Sequence, residues 1–156
     1  MRRARSLRKR CGKMVLLNFR LGADAISLEW GNQHFDIHNC YDFRTLHFDV
    51  LQNELALEWR VSEEAWAASE TLSGFLLCFK DVSYLAVKAR DAACPIMDDS
   101  CLSSFSFHAI EQRDEFESIT LGIPFATDDL TFFFESEWGL KVNARSGEFI
   151  PSARKE

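Results

Sequence analysis

The sequence has few of the residues and none of the short motifs on which many enzyme sites depend. It contains 7 Gly and 3 Pro in 156 residues, so few backbone segments can approach a phosphate group closely. The motifs GxGxxG, GxxxxGK[ST], HExxH and GxSxG do not occur. Their absence lowers the expectation of an enzyme without excluding one. We predict no catalytic residue and no cofactor.

Long apolar runs and paired-cysteine motifs are absent as well. The longest apolar run, Phe75–Phe79, is far shorter than the ~18 residues of a membrane span. Met14–Leu17 is followed at once by Asn18 and is too short for the core of a signal peptide. Five cysteines are spaced widely, without a CxxC pair, which favours reduced thiols. We therefore expect a cytoplasmic protein without membrane association.

Charge is distributed unevenly along the chain. Residues 1–13 contain seven of the 18 basic residues and no acid, so residues 14–156 carry 11 basic and all 24 acidic side chains, a net charge of −13. We expect residues 1–13 to be a disordered basic leader, 14–150 a single β-rich domain and 151–156 a tail. An acidic domain repels phosphates and anionic lipids, so its expected partner is not a nucleic acid or a membrane.

Apolar and polar residues alternate with a period of two through most of the domain, which is typical of strands. Residues 46–50 and 55–61 both alternate, and Gln52–Asn53 between them has turn composition. This predicts a hairpin with one apolar and one solvated face, in which Trp59 enters the core. Residues 62–70 interrupt the alternation with helix formers and predict a short helix or an ordered loop.

Similar strand patterns continue to the end of the domain. They lie at residues 71–79, 82–90, 103–111, 115–121, 130–137 and 140–145. We expect Lys80–Asp81 to connect two strands, and residues 103–111 to pair with 115–121. In total the sequence predicts a mainly β fold, an antiparallel sandwich or barrel of nine to ten short strands with one or two short helical segments. The periodicity does not choose between sandwich and barrel.

Part of this pattern resembles a group of known proteins. The residues that carry the resemblance are 82–85, 90–91, 94–95, 98–99, 102–107, 129–135 and 138–142. Together they resemble small β-rich bacterial proteins of uncharacterised families, some of which are toxin-immunity proteins. The resemblance covers about half of the chain and consists of strand pattern, so it identifies no catalytic or binding residue. It implies a bacterial cytoplasmic protein that binds another protein.

One group of polar residues has the composition of a metal site. If the segment that contains them is a strand, His34, Asp36 and His38 project from one face, about 7 Å apart from one to the next. Imidazoles and carboxylates are common ligands of divalent metals. The competing interpretation is that these residues form the solvent face of a strand whose Phe35 and Ile37 enter the core.

Three functions remain open from the sequence. The acidic domain, the missing motifs and the resemblance favour a non-enzymatic binding protein, of immunity or inhibitory type, that uses an acidic surface to bind a basic protein partner. The first alternative is a metal-dependent enzyme or metal-binding β-barrel that uses His34, Asp36 and His38. The second is a barrel that encloses a small apolar ligand among its aromatic side chains.

Overall fold

The computed structural model describes residues 12–116 and 127–154, and 56% of these residues are in strands. This confirms the predicted mainly β, antiparallel fold. The strands are β1 (Val15–Leu16), β2 (Phe19–Leu21), β3 (Ser27–Trp30), β4 (Gln33–Asp36), β5 (Tyr41–Asp49), β6 (Glu54–Val61), β7 (Leu72–Lys88), β8 (Leu102–His108), β9 (Asp129–Phe134) and β10 (Gly139–Ala153). The helices are α1 (Ile37–Cys40) and the 3₁₀ helices η1 (Ala65–Ser69), η2 (Ile96–Ser100) and η3 (Ile110–Gln112). No helix among the described residues has the length and apolar character needed to cross a membrane.

Seven strands form one large sheet in the order β5-β6-β7-β10-β9-β8, and β1 pairs in parallel with β10 beyond the part that contacts β9. The other neighbours in this sheet are antiparallel. The sheet curls into a half-barrel. A smaller sheet, β2-β3-β4, packs its buried residues against the same core. The predicted β5–β6 hairpin is confirmed.

The longest strands, β7 and β10, pair along nearly their whole length. The predicted break at Lys80–Asp81 is wrong, because the chain continues through both residues as one strand. Asp81 has a φ of 53°, and the register with β10 shifts between Asn143 and Ala144. An irregularity of this kind bends a strand without reversing it. It therefore lets β7 follow the curl of the sheet.

Two other predicted pairings and boundaries differ from the structure. β8 pairs with β9, whereas Glu115 and Phe116 are outside strands and residues 117–121 lie outside the described residues. The pairing places Phe105 of β8 opposite Phe132 of β9, and both side chains are buried in the same core. β10 continues to Ala153 and pairs there with Leu72, so the strand extends into the predicted tail. Of the predicted leader, residues 1–11 lie outside the described residues.

Aromatic rings fill the concave side of the large sheet. Trp59 is 1% exposed, which confirms its predicted core position, and it stacks on Phe75 with ring centroids 5.3 Å apart. Phe75 in turn stacks on Phe149. The void lined by Trp59, Phe75, Phe132 and their neighbours measures about 10 Å³, which is room for about one water molecule. This void gives no support to the ligand-enclosing alternative.

The short helix α1 connects the small sheet to the large one and contacts both edge strands, β5 and β8. Asp36 caps this helix, because its carboxylate accepts a hydrogen bond from the backbone N of Asn39 at 3.0 Å. Ile37 is buried in the core. The next residue, His38, therefore points toward β8, where its Nδ1 lies 2.6 Å from the carbonyl oxygen of Leu102.

Candidate functional site

The structure separates the three residues predicted as metal ligands. His34 is exposed on β4, opposite Glu29 of β3. Asp36 ends β4, and its carboxylate is occupied by the backbone N and the side-chain amide of Asn39. His38 lies on α1, after the strand has ended. The predicted strand is therefore wrong beyond Asp36, and the common strand face that the metal prediction requires does not form.

His38 lies instead beside Cys101 and Glu135, where α1 meets the start of β8 and the end of β9. Sγ of Cys101 is 3.8 Å from Nδ1 of His38, and Oε1 of Glu135 is 4.0 Å from the same nitrogen. One potential ligand atom from each residue lies within 4.8 Å of the other two. The backbone N of Glu135 donates to the carbonyl oxygen of Cys101 at 3.0 Å. A main-chain bond therefore fixes two members of this group relative to each other.

Negative charge surrounds the Cys101 thiol. Burial raises the pKa of Cys101, and the carboxylates of Glu135, Asp42 and Asp98 raise it further. The same carboxylates that disfavour a bare thiolate favour a cation at this position.

The Cys94 thiol lies in the same negatively charged environment. Partial burial raises the pKa of Cys94, and Asp91, Glu137 and Asp98 add to this effect. Asp98 therefore lies near both thiols. We call this region the acidic end, defined by the carboxylates of Asp42, Asp91, Asp98, Asp99, Glu135 and Glu137 and by the cations Arg44, Lys88 and Arg90. Six carboxylates and three cations leave it negative.

Two cations of the acidic end are already paired with its acids. Arg90 donates from Nε to Oδ1 of Asp99 at 2.8 Å, and Nη2 of Arg44 lies 3.7 Å from Oδ2 of Asp42. Asp91, Asp98 and Glu137 form no ion pair with any described residue, and Glu135 lies 4.0 Å from the His38 imidazole with no Lys or Arg partner among the described residues. These three carboxylates and that of Glu135 outnumber the remaining cation, Lys88, and carry the excess negative charge.

An open cleft of about 430 Å³ lies beside these carboxylates, between β5, β7 and η2. The rings of Phe43 and Trp138 line it, 5.3 Å apart, and Nε1 of Trp138 donates to the carbonyl oxygen of Asp99 at 2.8 Å. On η2, Ile96 lines the cleft and is 80% exposed, and the adjacent Met97 is 77% exposed. Contiguous exposed apolar surface that is rimmed by polar groups marks protein-binding sites, and Ile96 and Met97 are adjacent to each other and to Asp98.

Sequence reasoning missed most of this region, because its members come from distant parts of the chain. Cys101 is 63 positions from His38, and no local motif joins them. The only local signal was the presence of two large apolar residues, Ile96 and Met97, in a segment of loop composition.

A second polar group lies on the face of β9 and β10 that points away from the aromatic core. The fully buried carboxylate of Asp129 accepts two hydrogen bonds from Arg113, at 2.7 and 2.9 Å. The ammonium of the equally buried Lys141 donates to the carbonyl oxygens of Gln112 and Glu115. Each buried charge therefore has a polar partner, and these bonds hold residues 110–115 against the sheet.

His108 in this second group is expected to make stability depend on pH. Burial lowers the pKa of His108 and the positive charge of Lys141 lowers it further, against the opposing effect of Asp128, Asp129 and Glu115. In the unfolded chain a histidine titrates near pH 6.5. As the pH falls below about 6.5, the unfolded state binds more protons than the folded state, so the free energy of unfolding decreases until His108 itself protonates.

Urea unfolding between about pH 5 and pH 8 measures this dependence. We expect His108→Asn to flatten the decrease toward low pH, and His47→Asn, which changes an exposed histidine, to leave it unchanged. Equal slopes for the wild type and His108→Asn would contradict the assignment.

Comparison of the chain with protein-family models, with curated proteins and with solved structures finds no match. The resemblance to β-rich bacterial proteins therefore stays a prediction.

Proposed function

We propose that this chain is a non-enzymatic binding protein, of immunity or inhibitory type, that uses the acidic end to bind a basic protein partner. The observation that carries the proposal is the position of Ile96 and Met97, which are exposed on η2 directly before Asp98. Protein interfaces have an apolar centre and a polar rim. Ile96 and Met97 supply the centre, and the unpaired carboxylates of Asp91, Asp98 and Glu137 supply the rim.

Charge supports a basic partner. Residues 14–156 carry a net charge of −13, so a cationic protein is attracted over a distance and a nucleic acid is repelled. The unpaired carboxylates of the acidic end add a local attraction. Complementary charge of this kind accelerates association more than it increases final affinity.

The binding surface is held in place before any partner arrives. Nη2 of Arg90 donates to the carbonyl oxygen of Cys94 at 2.7 Å, and Oγ of Ser100 donates to that of Met97 at 3.0 Å. Nε1 of Trp138 adds its bond to Asp99. A pre-ordered surface loses less conformational entropy on binding.

We further propose a reducing compartment, the bacterial cytoplasm. The four described cysteines, Cys40, Cys78, Cys94 and Cys101, are free thiols, a state that persists in reducing compartments.

Affinity capture with charge variants tests the proposed surface. The tagged chain is incubated with cell extract at low and at high salt, and the bound proteins are quantified by mass spectrometry. We expect a basic protein that binds the wild type, is released by salt and is lost with the double variant Asp98→Asn/Glu137→Gln. With the partner purified, these substitutions should lower the association rate roughly tenfold at low salt.

Matched controls replace exposed residues away from the acidic end. Glu63→Gln/Glu64→Gln removes two exposed carboxylates before η1, and Leu51→Ser removes an exposed apolar side chain from the β5–β6 turn. Both control variants should still capture the partner from the extract, whereas the Met97→Ser variant should not capture it. A partner that is acidic, or that the Asp98→Asn/Glu137→Gln variant binds as rapidly as the wild type, would overturn the proposal.

A further inference from the structure

We propose that His38, Cys101 and Glu135 bind one zinc ion and leave its fourth coordination position open. The three side chains come from α1, from the residue before β8 and from the residue after β9. Among the described residues, these three are the group of His, Cys, Asp or Glu side chains whose ligand atoms all lie within 4.8 Å of one another. The site differs from the sequence prediction, which grouped His38 with His34 and Asp36.

The donor set favours zinc over harder cations. A thiolate and an imidazole suit Zn²⁺, whereas Mg²⁺ and Ca²⁺ prefer oxygen ligands. In tetrahedral coordination with bond lengths of about 2.0–2.3 Å, neighbouring donors lie roughly 3.3–3.6 Å apart. The separations from His38 Nδ1 are 3.8 Å to Cys101 Sγ and 4.0 Å to Glu135 Oε1. All three donor atoms lie within 4.8 Å of one another, so each pair must approach by at most about 1.3 Å to reach zinc distances.

The electrostatic surroundings favour a divalent cation. Glu135, Asp42 and Asp98 all act on the Cys101 thiol, so three carboxylates compensate the charge of an ion bound there. The His38 and Glu135 side chains are 31% and 43% exposed. An ion can therefore enter from solvent, and its fourth position faces water or a side chain of a bound partner.

A hydrogen bond competes with the ion. Nδ1 of His38 is hydrogen-bonded to the carbonyl oxygen of Leu102, and one ring nitrogen cannot hold a proton and a metal at the same time. The bond keeps the imidazole beside Cys101 in the metal-free chain. Because zinc must replace it, we expect weaker binding than at a structural site with four protein ligands.

Zinc titration of the purified, reduced full-length chain tests the site without any partner protein. After treatment with a chelator, Zn²⁺ is added in competition with a chromophoric chelator, and Co²⁺ is added separately as a spectroscopic probe. We expect one equivalent of Zn²⁺ and a thiolate-to-cobalt absorption band. Cys101→Ser should remove the band, and both Cys101→Ser and Glu135→Gln should weaken zinc binding at least about tenfold.

Neighbouring groups of the same chemistry provide the controls. Cys94→Ser and Glu137→Gln should bind zinc as the wild type does, and circular dichroism verifies that each variant is folded. Because Glu135 is exposed, Glu135→Gln keeps the test valid if Cys101→Ser does not fold. Failure of the wild type to bind an equivalent of zinc would overturn the proposal, as would unchanged binding by Glu135→Gln. Neither result bears on the protein-binding function, because no partner is present.

Discussion

Replacement of Trp59 by alanine is expected to lower the free energy of unfolding by about 3–5 kcal/mol. Trp59 is the largest of the fully buried side chains among the described residues. Its ring contacts Phe43, Phe75 and Phe132 at centroid distances of 5.0, 5.3 and 5.7 Å. The substitution therefore removes a ring that joins β5, β6, β7 and β9, and rigid neighbours cannot fill the cavity completely. Chemical denaturation measures the loss.

Three controls show whether burial is the cause. Trp66 on η1 is 63% exposed, so Trp66→Ala should cost much less than Trp59→Ala. Glu58→Gln, next to Trp59 but on the opposite face of β6, removes only a surface ion pair with Arg60 and should cost no more than about 1 kcal/mol. Nε1 of Trp59 has no hydrogen-bond partner among the described residues, so Trp59→Phe removes an unpaired donor and should be milder than Trp59→Ala. A loss below about 1 kcal/mol for Trp59→Ala would contradict the core assignment.

The β5–β6 hairpin was predictable because all of its determinants are local. The alternation of residues 46–50 and 55–61 and the turn at Gln52–Asn53 lie within one short segment. The partner of β8 was not predictable in this way, since β9 begins 21 residues after His108 and many strands offer the same alternating face. Period-two patterns determine which side of a strand is buried, but they do not determine which strand lies beside it.

The site was harder to predict than the fold, for two physical reasons. The sequence at residues 34–38 alternates like a strand, yet Asp36 can cap a helical turn through Asn39, and this local hydrogen bonding competes with the sheet. His38 is thereby turned toward β8. The second reason is distance along the chain, because Cys101 and Glu135 approach His38 only after β8 and β9 have joined the large sheet.

Glycine is required at two positions for different reasons. At one position the backbone conformation disfavours a side chain, and at the other there is no space for one. Gly31 has a φ of 58° and nothing within 4 Å of the position where a Cβ would lie. Gly31→Ala is therefore expected to cost only the roughly 1–2 kcal/mol of a left-handed backbone. Gly31→Asn should cost less, because asparagine tolerates this conformation.

Gly74 presents the opposite case, and Gly74→Ala is expected to cost about 3 kcal/mol or more, or to prevent folding. A Cβ at Gly74 would lie 2.4 Å from the carbonyl oxygen of Trp59 and 3.2 Å from Cα of Arg60. Both are backbone atoms of the paired strand β6, so no side-chain rotation relieves the contact. To accommodate a Cβ at Gly74, β6 and β7 must move apart at Trp59. This movement would also disturb the packing of the Trp59 ring in the aromatic core. Thermal and urea unfolding of Gly74→Ala beside Gly31→Ala measures the difference, and equal losses would show that β6 and β7 do not approach each other as closely as described.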